Sequence, residues 1–401
     1  MLILEESLSP NHSLALQAIR RHGPLTRAEI GLATGLSRSS VHALTSELLA
    51  AGLIREAEHR TTQARGRPAL SFSYNGDAGY VLAIAFEHDR VSIAVADLTG
   101  AIVHETTAGA DIGSDADLAL EMAAEEAKAL LGGTATSARS VVAGAASLPG
   151  PVDVRHGTIG SFSILRGWAH ADPARRLREL LGVPMLIDND ANMAAYAEAQ
   201  AGAAVGCKNL LYVKASTGVG AGLLLDGHIY RGSAGMAGEV GHVTVDPAGK
   251  ICRCGSKGCL ETVCGIGGIT SALATTHADG ITLDQVIELA SGGDAAAERA
   301  LAEAGTALGR AIGEVSNVLN PSLIVLGGEL AAAEDLVLDP LRASLRRAAM
   351  QVVSRDLEVR TGALGTRAEL IGAAALCTAH LHGDVPASLA APGWQRLEAR
   401  A

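Results

Sequence analysis

The sequence predicts an α/β protein: a winged helix-turn-helix domain followed by a larger body of alternating strands and helices. Three observations carry that expectation. A capped three-helix pattern with a hairpin behind it occupies residues 1–76. From about residue 77, short apolar runs with strand character alternate with helical stretches. Three of the six cysteines fall within eight residues of a Gly-rich segment in the second part, ten residues after a histidine. At 401 residues the chain has room for two or three folding units.

The N-terminal elements follow in order. Leu14, Leu16, Ala18 and Ile19 give a first helix its apolar face, and Gly23-Pro24 breaks the chain. Thr26, with Glu29 three residues on, forms a capping box that opens a second helix. Gly35 stands where a tight turn between helices needs it. Ser37 then caps a third helix running to about Ala50, whose Val41, Leu44, Leu48 and Leu49 recur at helical spacing. Gly52-Leu53-Ile54 begins a strand, the hairpin tip falls at 63–69, and Leu70 to Tyr74 returns.

Charge divides the chain in the same place. Residues 1–76 carry eight Arg and no Lys against six Glu, a balance of +2, which leaves −13 for the rest of a chain whose net charge is −11. Arg20, Arg21, Arg38, Arg60, Arg65 and Arg67 are thus expected to be available to phosphates, which the acidic body would repel. The third helix presents Arg38, Ser39, Ser40 and His42 near its N-terminus, the end that enters the major groove in this motif. Arg38 suits a bidentate contact to guanine, whereas Ser39 and Ser40 suit phosphates or capping. Arg65 and Arg67 flank a glycine and are suited to a minor groove. A protein-docking role for the three helices is the plain alternative.

The body carries strands at Val81 to Ala85, Val91 to Asp97, Val141 to Ala145, Met185 to Ile187, Leu210 to Lys214, Ala221 to Leu225 and Leu323 to Leu326. Between the last two lies the spacing His242-x9-Cys252-x-Cys254-x4-Cys259, followed by Glu261. Thiolates and a neutral imidazole are the preferred ligands of a structural zinc ion in a closed tetrahedral shell. On spacing alone Cys264 competes with His242 for the fourth position. No segment is long and apolar enough to span a bilayer, and the N-terminus lacks a charged region before an apolar run. Metal-type, reduced cysteine usage then points to the cytoplasm.

Gly238-Glu239-Val240-Gly241-His242-Val243-Thr244-Val245, then Gly249, Cys252-Arg253-Cys254-Gly255 and Gly258-Cys259-Leu260-Glu261, closely resembles the signature of the ROK family of repressors, open reading frames and sugar kinases. The resemblance covers nearly all of the body, and the Arg-Gly-Arg-Pro segment also resembles the wing of ROK-type repressors. It implies an actin-like sugar-kinase fold of two α/β lobes closing on a cleft. The domains are then 1–76 for the winged helix and 77–382 for the sugar-binding unit, with lobe 1 at about 77–190 plus 367–382 and lobe 2 at about 191–366. Residues 383–401 form a tail. The resemblance selects His242, Cys252, Cys254 and Cys259 as zinc ligands, and it places Glu239, His242 and Glu261 at a sugar pocket. Asp188-Asn189-Asp190-Ala191-Asn192 resembles the substrate segment, in which Asn189 would bind hydroxyls and Asp190 would be the base of a kinase. The plain reading of that Asp is a helix N-cap. Several carboxylates and amides converging on one pocket are what polyol recognition requires.

Kinases of this fold hold ATP phosphates with an Asp-x-Gly-x-Thr turn between their first two strands. Counting back from Ala96-Asp97-Leu98-Thr99-Gly100 puts Ala85 at the Asp, Glu87 at the Gly and Asp89 at the Thr. Two carboxylates would then face a triphosphate with no compensating cation, and phosphoryl transfer, which rests on positioning and charge stabilisation, is not expected. Other nucleotide elements persist: Ser216-Thr217-Gly218-Val219-Gly220-Ala221-Gly222 resembles the second phosphate loop, and Asn320-Pro321-Ser322 through Gly328 the adenosine segment. A Gly-rich loop alone is weak support. The expectation is a non-catalytic, homodimeric or dimer-of-dimers transcriptional regulator, a repressor in its simplest form, released from operator DNA by a sugar or sugar derivative. The alternatives are an ATP-dependent hexose kinase and a regulator controlled by a protein partner.

Overall fold

The first helix begins where Pro10 fixes the backbone at the N-terminus of α1 (Pro10–His22), and its apolar face turns inward at Ala15, Leu16, Ala18 and Ile19. The computed structural model describes residues 9–57, 70–133, 140–154, 156–159, 166–168, 171–277 and 280–384. A short strand, β1 (Leu25–Thr26), leads into α2 (Arg27–Thr34). Thr26 and Glu29 make the predicted capping box, and Gly35 closes the helix in the left-handed region at φ 72°. Ser37 caps α3 (Arg38–Ala50) by accepting a hydrogen bond from the Ser40 N–H. Strands β2 (Ile54–Ala57) and β3 (Ser71–Tyr74) pair antiparallel, and β3 also pairs with β1. Leu16, Ile19, Ile30, Val41, Leu48, Leu53, Ile54 and Phe72 form one buried core, each contributing about 1.5–3 kcal/mol of transfer free energy. The predicted hairpin tip at 63–69, with Arg65 and Arg67, lies outside the described residues, as does Arg60.

The body contains two five-stranded sheets of the same design. In the first, β4 (Tyr80–Phe86), β5 (Arg90–Asp97) and β6 (Ile102–Gly109) form an antiparallel meander. After α4 (Ala116–Gly132), β7 (Val141–Leu148) joins β4 in parallel. A small hairpin of β8 (Val152–Asp153) and β9 (Thr158–Ile159) and helix α5 (Pro173–Leu181) precede β10 (Met185–Asn189), which is parallel to β7. Helix α6 (Asp190–Ala201) follows without a loop.

The second sheet opens with β11 (Leu210–Ala215), β12 (Val219–Leu225) and β13 (His228–Ile229), again an antiparallel meander. Helices α7 (Glu261–Cys264), α8 (Ile266–Ala272), α9 (Leu283–Ser291) and α10 (Ala295–Leu319) lead to β14 (Leu323–Gly327), parallel to β11. Helices α11 (Asp335–Ala348) and α12 (Gln351–Ser354) precede β15 (Glu358–Thr361), parallel to β14. The strand orders β6-β5-β4-β7-β10 and β13-β12-β11-β14-β15 are the same plan used twice. This is the two-lobed, actin-like sugar-kinase fold. Final helix α13 (Ala368–Leu381) packs on α6, β4 and β7. Among the described residues no helix is long and apolar enough to cross a membrane.

Candidate functional site

A cavity of about 220 Å³ opens at the carboxyl ends of the strands, where open α/β sheets place their ligands. Asn189, Asp190, Glu239, His242 and Glu261 all line it, together with Lys214 and Arg253. The junction of β10 with α6 sets the first two. Asn189 is the N-cap, its Oδ1 accepting from the Ala191 N–H (2.9 Å) and the Asn192 N–H (3.2 Å). Its Nδ2 donates to Gly150 O at 2.9 Å, leaving by valence a single N–H for a ligand. The capping role weighed for Asp190 thus falls to Asn189. Asp188 points away, taking Arg231 on Oδ2 and the Asn192 amide on Oδ1, and so ties the strand end to the loop after β13.

Asp190 meets a partner that sequence reasoning missed. Lys214 Nζ donates to Asp190 Oδ2 at 2.8 Å and lies 2.6 Å from Glu369 Oε1 on α13. Burial works against the Lys214 charge, but the two carboxylates outweigh it and hold its pKa well above the ordinary lysine value. The missed signal was a lysine inside the otherwise apolar strand β11. Glu369 sits 179 residues from Asp190 in sequence and carried no local signal. Opposite, Arg253 pairs with Glu261, whose Oε2 also accepts from the Val219 N–H at 3.2 Å. Glu239 faces this group half-buried; burial first, then the charges of Asp190 and Glu261, push its carboxyl up to about 7 against the pull of Arg253.

Behind that wall, ligand atoms of His242, Cys252, Cys254 and Cys259 lie within 4.8 Å of one another. Cys252 Sγ is 3.6 Å from His242 Nδ1, and Cys254 Sγ is 3.6 Å from Cys259 Sγ. Zinc–sulfur bonds near 2.3 Å put tetrahedral vertices about 3.7 Å apart, so the donor set fits a closed metal shell. Cys264, the rival on spacing, is the last residue of α7 and stands outside the group, fully buried, its thiol donating to Leu260 O and raised in pKa by burial. His242 serves both neighbourhoods: Nδ1 faces the thiols, while Nε2 lies 3.8 Å from Glu239 Oε2. The loop closes by backbone contact. At Gly258, φ is 69° and a Cβ would stand 1.5 Å from Asp246 O, so only glycine fits. Gly238, at φ 101°, would bring a Cβ to 1.9 Å from Ala221 O.

The β4–β5 turn, Glu87-His88-Asp89, borders the same cavity with Glu329. The expectation of carboxylates without a cation is corrected here. Arg90 pairs with Glu87 and stands 3.7 Å from Asp89 and 3.8 Å from Glu329 across the cleft. Its guanidinium closes the turn on the protein's own carboxylates.

On the N-terminal domain, α3 exposes Arg38, Ser39 and His42, while Ser40 is half-buried and bonded to the Ser37 hydroxyl at 2.8 Å. Arg20 and Arg21, expected to meet phosphates, instead pair with Asp384 beyond α13. The sequence could not show this, because the partner lies more than 360 residues away. Tyr74 packs edge-on against His382, with ring centroids 5.4 Å apart, and His382 Nε2 lies 2.9 Å from Leu98 O. The winged helix and the body therefore share the α13 terminus.

The ROK family profile matches residues 82–380, and the MarR family profile matches residues 7–64. The xylose repressor of Bacillus spizizenii is 27% identical over 370 residues, covering 92% of this chain and 95% of its own length. A crystallised ROK family transcriptional regulator, a homologue of the Escherichia coli Mlc protein, superimposes with a TM-score of 0.79 at 26% identity, over 93% of this chain and 96% of that one. A ROK family glucokinase from Streptomyces griseus, in complex with glucose and AMPPNP, superimposes with a TM-score of 0.65 at 27% identity; the match spans 74% of this chain and 99% of the kinase. These regulators thus match more than nine-tenths of the chain, and the glucokinase about three-quarters of it.

Proposed function

The chain belongs to the ROK family and carries a MarR-type winged helix-turn-helix, and from that premise we propose a sugar-responsive transcriptional repressor without kinase activity. The observation that carries the reading is the convergence of Asn189, Asp190, Glu239, His242 and Glu261 on one cleft in a chain that also bears an exposed recognition helix. Each sugar hydroxyl both donates and accepts, and these carboxylates accept at several angles. Asp190 serves as an acceptor held by Lys214, not as a base. In the phosphate-side turn, Glu87 and Asp89 take the places of a glycine and a threonine, and Arg90 is spent on them.

A zinc ion held by His242, Cys252, Cys254 and Cys259 would supply no chemistry beyond fixing the loop that presents Glu239, His242 and Glu261. Arg38, Ser39, Ser40 and His42, and with them Arg65 and Arg67, would meet operator DNA; a palindromic operator would be read by a homodimer or a dimer of dimers. Sugar binding that favours a closed cleft shifts the lobe equilibrium and, through it, the spacing of the paired recognition helices. The test is a panel of hexoses, pentoses and amino sugars scored for thermal shift and for release of bound operator, beside a coupled assay with ATP. One or more sugars are expected to bind and to release DNA without turnover. Robust phosphorylation abolished by Asp190→Asn would replace this reading with the kinase, and silence across the panel would favour control by a protein partner.

A further inference from the structure

Resting on the sugar-sensing reading, we infer that the effector is an unphosphorylated sugar and that the cleft excludes sugar phosphates by charge. Glu87, Asp89, Asp190, Glu239, Glu261 and Glu329 line it. Among the described residues, Lys214 and Arg253 are the lysine and arginine that do so. Both already face carboxylates of the protein. Lys214 is held by Asp190 and Glu369, and Arg253 by Glu261. Arg90, just behind the turn, is committed to Glu87 and flanked by Asp89 and Glu329.

Three backbone N–H groups that could seat an anion are taken as well. A Gly-rich loop or a helix start ordinarily offers N–H groups to phosphate. Here the N–H of Val219, the first residue of β12 after the Gly-rich turn, donates to the Glu261 carboxylate. At the start of α6, the Ala191 N–H donates to Asn189 Oδ1 and to Asp190 Oδ1, and the Asn192 N–H donates to Asn189 Oδ1. At these three positions the protein's own side chains stand where a phosphate oxygen would. Three thiolates more than cancel a bound dication, so a metal in the neighbouring shell relieves none of this.

A neutral polyol meets the same surface on favourable terms, since its hydroxyls donate to carboxylates in charge-assisted bonds. A phosphate dianion only accepts. One pair of like unit charges about 6 Å apart at an effective dielectric of 20 weakens binding on the order of 100-fold. The cavity of about 220 Å³ also lies below the ~300–1,000 Å³ usual for drug-sized ligands, which suits a monosaccharide.

Calorimetry on the full-length protein would compare matched pairs: glucose, mannose and N-acetylglucosamine against their 6-phosphates, and galactose against its 1-phosphate. At least one free sugar is expected to bind at least 100-fold more tightly than its phosphate, with the gap shrinking as salt is raised. A Glu87→Gln, Asp89→Asn, Glu329→Gln triple variant is expected to narrow that gap. A phosphate bound as tightly as its parent sugar would overturn the inference while leaving the sugar-sensing reading in place. A gap unmoved by both salt and the triple variant would assign the exclusion to shape and overturn the charge argument. Silence of both members of every pair would remove the sugar-sensing reading itself, and this inference with it.

Discussion

Replacing Lys214 with methionine would leave the Asp190 and Glu369 carboxylates facing each other on the cleft floor without their cation. Breaking a buried ion pair in this way costs about 3–5 kcal/mol, because the remaining charge has lost both water and partner. Urea unfolding should show that loss, and Lys214→Met with Glu369→Gln should recover part of it; a single variant as stable as the parent would deny the triad its structural role. On the DNA side, Arg38→Ala should weaken operator binding by about 1–3 kcal/mol and leave sugar affinity unchanged. Fluorescence anisotropy and calorimetry on the same variant separate the two. A fall in sugar affinity would undo the proposed division of labour between domains.

Among the elements, the Cys-rich loop has little regular structure of its own to hold its shape. It has only isolated bridges, Thr244 with Cys259 and Ile251 with Lys257, and no regular strand. Cys252→Ser, or a strong chelator on the parent protein, should therefore empty the metal shell, lower the thermal midpoint and weaken sugar binding together. Metal content measured on the purified variant checks this, and content equal to the parent would reject the ligand set. Elements were also where the sequence was most legible. Helix α3, its Ser37 cap and the Thr26–Glu29 capping box depend on neighbours within a few residues, so their signals are local. Seven of the ten strands of the two sheets were visible as apolar runs for the same reason, whereas β6, β13 and β15, which are short or half-exposed, were not. The duplicated strand order was not, because pairing of β7 with β4 or of β14 with β11 joins segments far apart in the chain.

Across the whole molecule, α13 connects the cleft to the DNA-binding domain. Its first turn carries Glu369 on Lys214, and just beyond its last turn His382 meets Tyr74 and Asp384 meets Arg20 and Arg21. A 14-residue helix spans about 20 Å, so a shift at the cleft floor can reach the winged helix through one packed element. Asp384→Ala should leave sugar affinity within about twofold and cut the sugar-induced release of operator, removing part of a coupling of about 1–3 kcal/mol. Titrating operator release against sugar in the parent and the variant measures it. Full release in the variant would place the coupling elsewhere.

Sequence alone determined the winged helix, the α/β character of the body, the set His242, Cys252, Cys254 and Cys259 once the family resemblance was drawn, and the carboxylates of the cleft other than Glu329. Each of these is written in spacing, capping or residue chemistry over short stretches. Only the tertiary structure decided what those carboxylates face. Lys214 and Glu369 on Asp190, Arg90 on Glu87, and Asp384 on Arg20 are charge pairs, and charge acts through space without regard to separation along the chain.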